Sequence, residues 1–226
     1  NTPMANPEQI IYQPVFFLFV AVSFLLAFGY FWGRRKNQAI AHRAMNDLLA
    51  IFHPREQQFT NIGGAIGYHA NLYLKKKGGW LSRVDATITL LPRHSWLYLP
   101  VSKLIRKYDR LFLEMYLKNT PPDESHLIES GYSRFAGTRI RNREAFQREE
   151  LTWGRFQFHL YTRSPETRSR FLDFTARHPD PGLIRHIAVV PEQKKCFVFM
   201  IPRLNQVAAS LRPVVTWLPA LLDRKP

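Results

Sequence analysis

From Val15 to Trp32 the chain reads VFFLFVAVSFLLAFGYFW, eighteen residues without a charge. As a helix rising about 1.5 Å per residue, the run measures about 27 Å, close to the ~30 Å hydrocarbon thickness of a bilayer. It is apolar all round, whereas the core helix of a domain this size carries a polar stripe. Pro14 suits a first helical turn, and Tyr30 and Trp32 place amphipathic rings at the far end, where headgroups lie. The run is too long for the apolar part of a secretory signal, and its basic residues follow it. Ser23 is expected to bond back to its own helix. Asn1 in place of an initiator methionine predicts a processed upstream piece, such as a signal peptide.

Charge divides the chain at the same place. Of the total of +15, residues 1–33 contribute only Glu8, so the positive excess belongs to residues 34–226. Arg34, Arg35 and Lys36, then His42 and Arg43, follow the apolar run directly, and cations on that flank predict a cytoplasmic C-terminal side. The expected organisation is a short luminal segment over 1–13, a transmembrane helix over 14–33, and a cytosolic basic α+β domain over 34–226. With 46% hydrophobic residues the chain is no disordered polyelectrolyte, and its single cysteine excludes a disulfide framework or a thiolate metal cluster.

Periodicity fills in the domain. Ile40, Ala44, Leu48 and Phe52 form a stripe on a helix that Pro54 ends and that couples the span to the domain. Gln58–Ile62 and Gly67–Leu74 flank a Gly63-Gly64 break, and Lys75-Lys76-Lys77-Gly78-Gly79 reads as a basic hairpin tip. Strict alternation predicts half-buried strands over Arg83–Leu91 and Asp109–Lys118, with a short helix over Ser95–Lys107 kinked by Pro100. Asn119 to about Glu150 lacks periodicity and reads as a long loop with a little helix. A strand over Trp153–Tyr161 precedes a helix capped by Ser164 with Pro165 at its first position, running to about Arg177. Leu183–Val190 and Cys196–Ile201 flank a second basic tip, Lys194-Lys195. Val207–Leu222 closes the chain as a helix interrupted by Pro213 and Pro219. Tight turns between strands, with helices between some of them, predict an α+β fold on an antiparallel sheet with packed helices.

Catalytic signatures do not emerge. There is no G-x-S-x-G, no P-loop and no dinucleotide fingerprint, and the eight histidines form no H-E-x-x-H. His159 falls on the polar face of its strand, Cys196 opens an apolar strand as an inert thiol, and Glu149-Glu150 balances nearby arginines. No cofactor and no metal is expected. The basic clusters are the stronger lead, because arginine outnumbers lysine 22 to 10 and its guanidinium forks onto phosphate. Lys75, Lys76, Lys77, Arg139, Arg141, Arg143, Lys194 and Lys195 are the candidate phosphate-binding residues, for rRNA or anionic lipid headgroups. Arg34, Arg35 and Lys36 are assigned to the membrane surface.

The order of features resembles a known family. A span leading into Tyr30-Phe31-Trp32-Gly33 is followed by Lys36-Asn37-Gln38-Ala39-Ile40-Ala41-His42 in a helix. Phe59 and the Gly63-Gly64 break come next, then the strand Asp85–Leu91, Arg93, a Leu-rich helix and the strand Asp109–Lys118. A Phe156–Phe174 strand-helix unit and the Leu/Pro-rich Leu211–Asp223 complete the layout. It is similar to calumin, a coiled-coil-domain family of single-pass endoplasmic reticulum proteins within the PAT intramembrane chaperone complex. That resemblance implies a non-enzymatic scaffold assisting multipass membrane-protein insertion and folding. Its partners would be an Asterix-like small membrane subunit, the Sec translocon, the ribosome and membrane-protein clients. The family's acidic luminal region and charged C-terminal helices have no counterpart here, so calcium binding is not carried over. A membrane-anchored lipid-handling enzyme and a structural subunit of another membrane complex stand as alternatives.

Overall fold

The computed structural model describes residues 13–75, 79–132, 140 and 143–222. The apolar run and the stripe that follows it form one unbroken helix, α1 (Pro14–Phe52, 39 residues), about 58 Å long. Its first half is long and apolar enough to cross a membrane. Among its buried residues, Gly29, Gly33, Asn37, Ala41 and Met45 recur every fourth position, as do Ile40, Ala44, Leu48 and Phe52. The helix stops at His53, which turns left-handed at φ 43° and donates its N–H to the Leu49 carbonyl before Pro54. Ser23 donates to the Phe19 carbonyl at 2.8 Å, within its own helix.

An all-antiparallel sheet of nine strands, among the described residues, packs on the second half of α1. In chain order these are β1 (Glu56–Asn61), β2 (Gly67–Tyr73), β3 (Leu81–Thr89), β4 (Arg110–Leu117), β5 (Ser125–Glu129), β6 (Gln147–Trp153), β7 (Phe156–Thr162), β8 (Ile184–Val190) and β9 (Lys195–Met200). Helix α2 (Leu99–Arg106) lies between β3 and β4, α3 (Pro165–Arg177) follows β7, and α4 (Val207–Leu222) closes the chain. The spatial order β1-β2-β3-β4-β9-β8-β5-β7-β6 leaves β1 and β6 as edges. The expected alternation holds: Val84, Ala86 and Ile88 of β3 and Leu111, Leu113 and Met115 of β4 are buried.

One face of the sheet carries the main core, shared by Leu48 of α1, Phe171 and Phe174 of α3, and Leu211 and Leu218 of α4. Trp217 stacks on Phe174 at 4.3 Å between ring centroids. Ser164 caps α3 as the sequence predicts, accepting the Thr167 N–H at 3.2 Å. A smaller cluster around Ile128, Tyr161 and Phe199 covers part of the opposite face.

Three expectations need correction. The loop read over Asn119–Glu150 contains β5, which lies between β8 and β7, and the start of β6. Burial on both faces abolishes the alternation by which β5 could have been seen: Ser125 to Ile128 are all buried. The strand read as Trp153–Tyr161 is a hairpin instead, with Trp153 ending β6 and Gly154 turning at φ +60°. Pro213 and Pro219 do not interrupt α4. Its buried stripe holds it to the sheet, and both ends are satisfied from outside: Asp47 accepts the Ala208 N–H at 2.9 Å, and Arg170 donates to the Ala220 and Leu221 carbonyls at 2.6 and 3.0 Å.

Candidate functional site

Where the apolar half of α1 meets the domain, a buried polar clamp ties helix to sheet. Asn37 is completely buried. Its Nδ2 donates to the Leu91 carbonyl at 2.8 Å and the Ala65 carbonyl at 3.1 Å, and its Oδ1 accepts from Arg93 at 2.9 Å. The Arg93 guanidinium forks onto Asp109 at 2.8 and 2.7 Å, and Asp109 also accepts the Leu91 N–H at 2.8 Å. A bidentate Arg–carboxylate pair with its remaining lone pairs satisfied is the form in which buried charge is tolerated. Just below it Gly33 abuts the Arg93 carbonyl and the His94 N–H, and Gly29 abuts the Trp96 indole; neither position has room for a Cβ.

Beside this clamp an open groove of about 1100 Å³ separates α1 from the sheet edge. Ala41, Met45 and Leu49 form its helical wall, Phe59 and Tyr68 its sheet side, and Tyr30, Arg34 and His94 its mouth. The groove exists because, among the described residues, no helix covers the core side of β1. Phe59 registers with Ala70, a core position, yet is 52% exposed. All of β1 is exposed, and among the described residues it pairs with β2 alone. Exposed apolar side chains beside an open strand edge suit an extended or helical polypeptide segment. Three histidines line the groove, His42, His69 and His94, and the His69 ring nitrogens lie 2.8 Å from the Thr87 hydroxyl and 3.0 Å from the Asn71 side-chain oxygen.

A smaller cavity of about 360 Å³ lies on the other flank of α1, with Lys36, Arg93, Lys107 and Arg203 among its lining residues. Elsewhere Ser130, His159 and Glu150 fall in a row, with Ser130 Oγ 3.0 Å from His159 Nε2 and Glu150 3.6 Å from Nδ1. The Arg148 guanidinium approaches the same Nδ1 at 3.3 Å, placing a donor where a catalytic base would need an acceptor. The N–H groups of Gly131 and Tyr132 are not free to serve an oxyanion, since both donate to the Glu129 carboxylate, at 2.9 and 2.7 Å. Cys196 is fully buried and desolvation pushes its thiol up to about 12, so it stays protonated. Among the described residues no group of three His, Cys, Asp or Glu side chains could hold a metal ion.

Of the described basic residues predicted from sequence, Lys75, Lys194 and Lys195 lie at one end of the sheet, where Lys118 donates to the Lys75 carbonyl at 3.3 Å and the Leu117 N–H to the Lys194 carbonyl at 2.8 Å, whereas Arg34, Arg35 and Lys36 lie on α1. Arg34 lines the groove mouth, with its guanidinium 3.4 Å from the Tyr30 hydroxyl; Arg35 is exposed; Lys36 lies over the Trp32 ring at 5.0 Å. Lys75 is exposed, whereas Lys76, Lys77, Arg139 and Arg141 lie outside the described residues. Arg143 opens a short 3-10 turn. Lys194 is exposed in a left-handed turn, and Lys195 is held by Glu114 at 2.8 Å and by the Tyr116 ring at 4.6 Å. Asn37, Arg93, Asp109 and the groove residue Phe59 enter the sequence reading only as parts of the calumin-like layout, which gives them no polar or binding role. One signal was available: Gly29-x-x-x-Gly33 continues backwards, at the same four-residue spacing, the buried stripe of α1. No family model and no curated protein matches this chain.

Proposed function

We propose that this chain is a single-pass membrane protein whose domain, clamped to its anchor, receives polypeptide segments at the bilayer surface without catalysing a reaction. The observation that carries the reading is the groove, which begins at Tyr30 and Arg34, at the end of the apolar run, and extends along α1 to Leu49. A segment leaving the bilayer would meet Phe59 and Met45 before reaching bulk water. The cationic flank Arg34–Lys36 supports placing the domain in the cytosol, and the calumin-like layout supports the endoplasmic reticulum as its membrane. In that setting the chain acts as a chaperone scaffold beside the Sec translocon, with an Asterix-like subunit and multipass clients as partners. Lys75 and Lys194 are the described exposed tips that could meet rRNA or lipid phosphates.

The test is a photo-crosslinking residue at Phe59 in native membranes bearing stalled multipass nascent chains. Cross-links to the nascent chain, identified after gentle solubilisation, are expected. Cross-links to lipid alone would refute a polypeptide-receiving groove, and a released small-molecule product would favour the lipid-handling alternative.

A further inference from the structure

The segment leading into α2 runs along the apolar half of α1. Arg93 and His94 pack on Gly33, and Trp96 packs on Gly29. Gly29 lies five residues before Arg34, about 7 Å along the axis into the uncharged run. The His94 ring meets Tyr30 edge-on at 5.9 Å, fixing the approach from a second side. After Trp96 the chain turns into α2 and returns to Asp109, which Arg93 holds from the other end of the excursion.

Among the described residues of the domain, this excursion carries the most exposed large apolar side chains. Leu97 is 81% exposed, Leu104 83% and Ile105 69%, with Val101 completing a stripe at helical spacing. Lys103, Arg106 and Lys107 are exposed beside them. Ser102 alone within α2 is buried, so the helix turns one narrow side to the protein and its apolar stripe outward. On α1, Phe28, Phe31 and Trp32, next in sequence to the Gly29 and Gly33 that this segment packs on, are exposed as well.

From this placement we infer that residues 96–107, a turn followed by α2, form a second membrane contact, an interfacial segment immersed in the same leaflet boundary that α1 leaves. Leu97, Val101, Leu104 and Ile105 enter the acyl region, while Lys103, Arg106 and Lys107 meet lipid phosphates, the arrangement of an interfacial amphipathic helix. Trp96 joins the two elements at depth. The inference rests on α1 crossing the bilayer. With that given, it fixes how the domain sits: anchored at two points, it cannot swing about α1.

Depth measurements on the full chain in phosphatidylcholine–phosphatidylglycerol vesicles test this. Nitroxide labels would be placed singly by Leu97→Cys, Leu104→Cys, Phe24→Cys and Lys75→Cys, with buried Cys196 left unmodified. The expected result is that labels at Leu97 and Leu104 collide with oxygen more than with a water-soluble nickel chelate, as at Phe24, with the ratio reversed at Lys75. A Lys75-like ratio at Leu97 and Leu104, with Phe24 in lipid, overturns the inference alone. Exclusion of both reagents at those sites, the mark of a protein-covered surface, also overturns it. A water-exposed Phe24 overturns the membrane reading itself. Unchanged sheet circular dichroism in each labelled protein separates these outcomes from misfolding.

Discussion

Replacing Arg93 by Met is the most direct probe of the clamp. The substitution keeps an unbranched apolar stem and removes two hydrogen bonds to Asp109, at 2.8 and 2.7 Å, and one to Asn37 Oδ1, at 2.9 Å. Asp109, with its side chain 7% exposed, is left with the Leu91 N–H as its described partner. Breaking a buried pair from one side costs about 3–5 kcal/mol, a large share of the roughly 5–15 kcal/mol that holds a domain folded. Asp109→Leu is expected to cost as much, because it strands the guanidinium. The double variant removes both charges and orphans only the Leu91 N–H and the Asn37 carbonyl oxygen, about 1–3 kcal/mol each. It should therefore lose about 2–6 kcal/mol in total, where additive single losses would reach about 6–10 kcal/mol. Urea unfolding of the three variants in detergent micelles, followed by far-ultraviolet circular dichroism, gives the comparison. Additive losses, or an Arg93→Met loss below about 1 kcal/mol, would show that the clamp is not a coupled buried unit.

Two other predictions concern buried groups outside the groove. His186 is buried beside His126, with centroids 5.7 Å apart, and desolvation followed by repulsion from His126 lowers its pKa to about 3. Burial lowers His126 as well, against the opposing pull of Glu124. Because the folded-state values are depressed, the stability they protect is present above the unfolded value near pH 6.5 and lost as pH falls toward 3. Each histidine contributes a slope of up to about 1.4 kcal/mol per pH unit. His186→Phe should flatten unfolding midpoints between pH 6.5 and 4; an unchanged slope would contradict the assignment. Cys196 should resist maleimide in the folded protein and react on unfolding, so labelling in native buffer at the rate of a free thiol would count against its burial.

The strands that the sequence reveals are those with one face on the core. Asp85, Thr87 and Thr89 against Val84, Ala86 and Ile88 declare β3, and the same logic declares β4. β5 is silent because both its faces are covered, and only its sheet neighbours show that SHLIE is a strand. The candidate site is hidden for a different reason. Asn37, Arg93 and Asp109 are separated by 56 and 16 residues along the chain, and no local pattern marks a polar triple formed by three distant segments. The groove arises from an omission, the lack of a helix over β1 among the described residues, and omissions have no sequence motif. The basic residues drew attention as a composition, yet Lys195, Arg168 and Arg170 turn out to be tied to Glu114, Glu149 and Glu166.

The four-residue register of α1 joins these features into one geometry. Gly29 and Gly33 belong to the apolar half, Asn37 to the clamp, and Ala41, Met45 and Leu48 to the buried side against the sheet. A single helix face thus passes from the α2 excursion to the domain core without a break in its hydrogen bonding. Rotation of the anchor relative to the domain would have to pull Trp96 from Gly29 and Asn37 from Arg93 together. The groove wall, Tyr30, Arg34, Ala41, Met45 and Leu49, occupies one flank of that face, while Lys36, Ala39 and Ile40 line the cavity on the other flank. A segment held in the groove would therefore continue into the bilayer along the Tyr30 side of α1, past Leu26 and Val22, both exposed. With the proposed interfacial segment anchoring the domain beside the same helix, the direction of entry is set by the stripe that begins at Gly29.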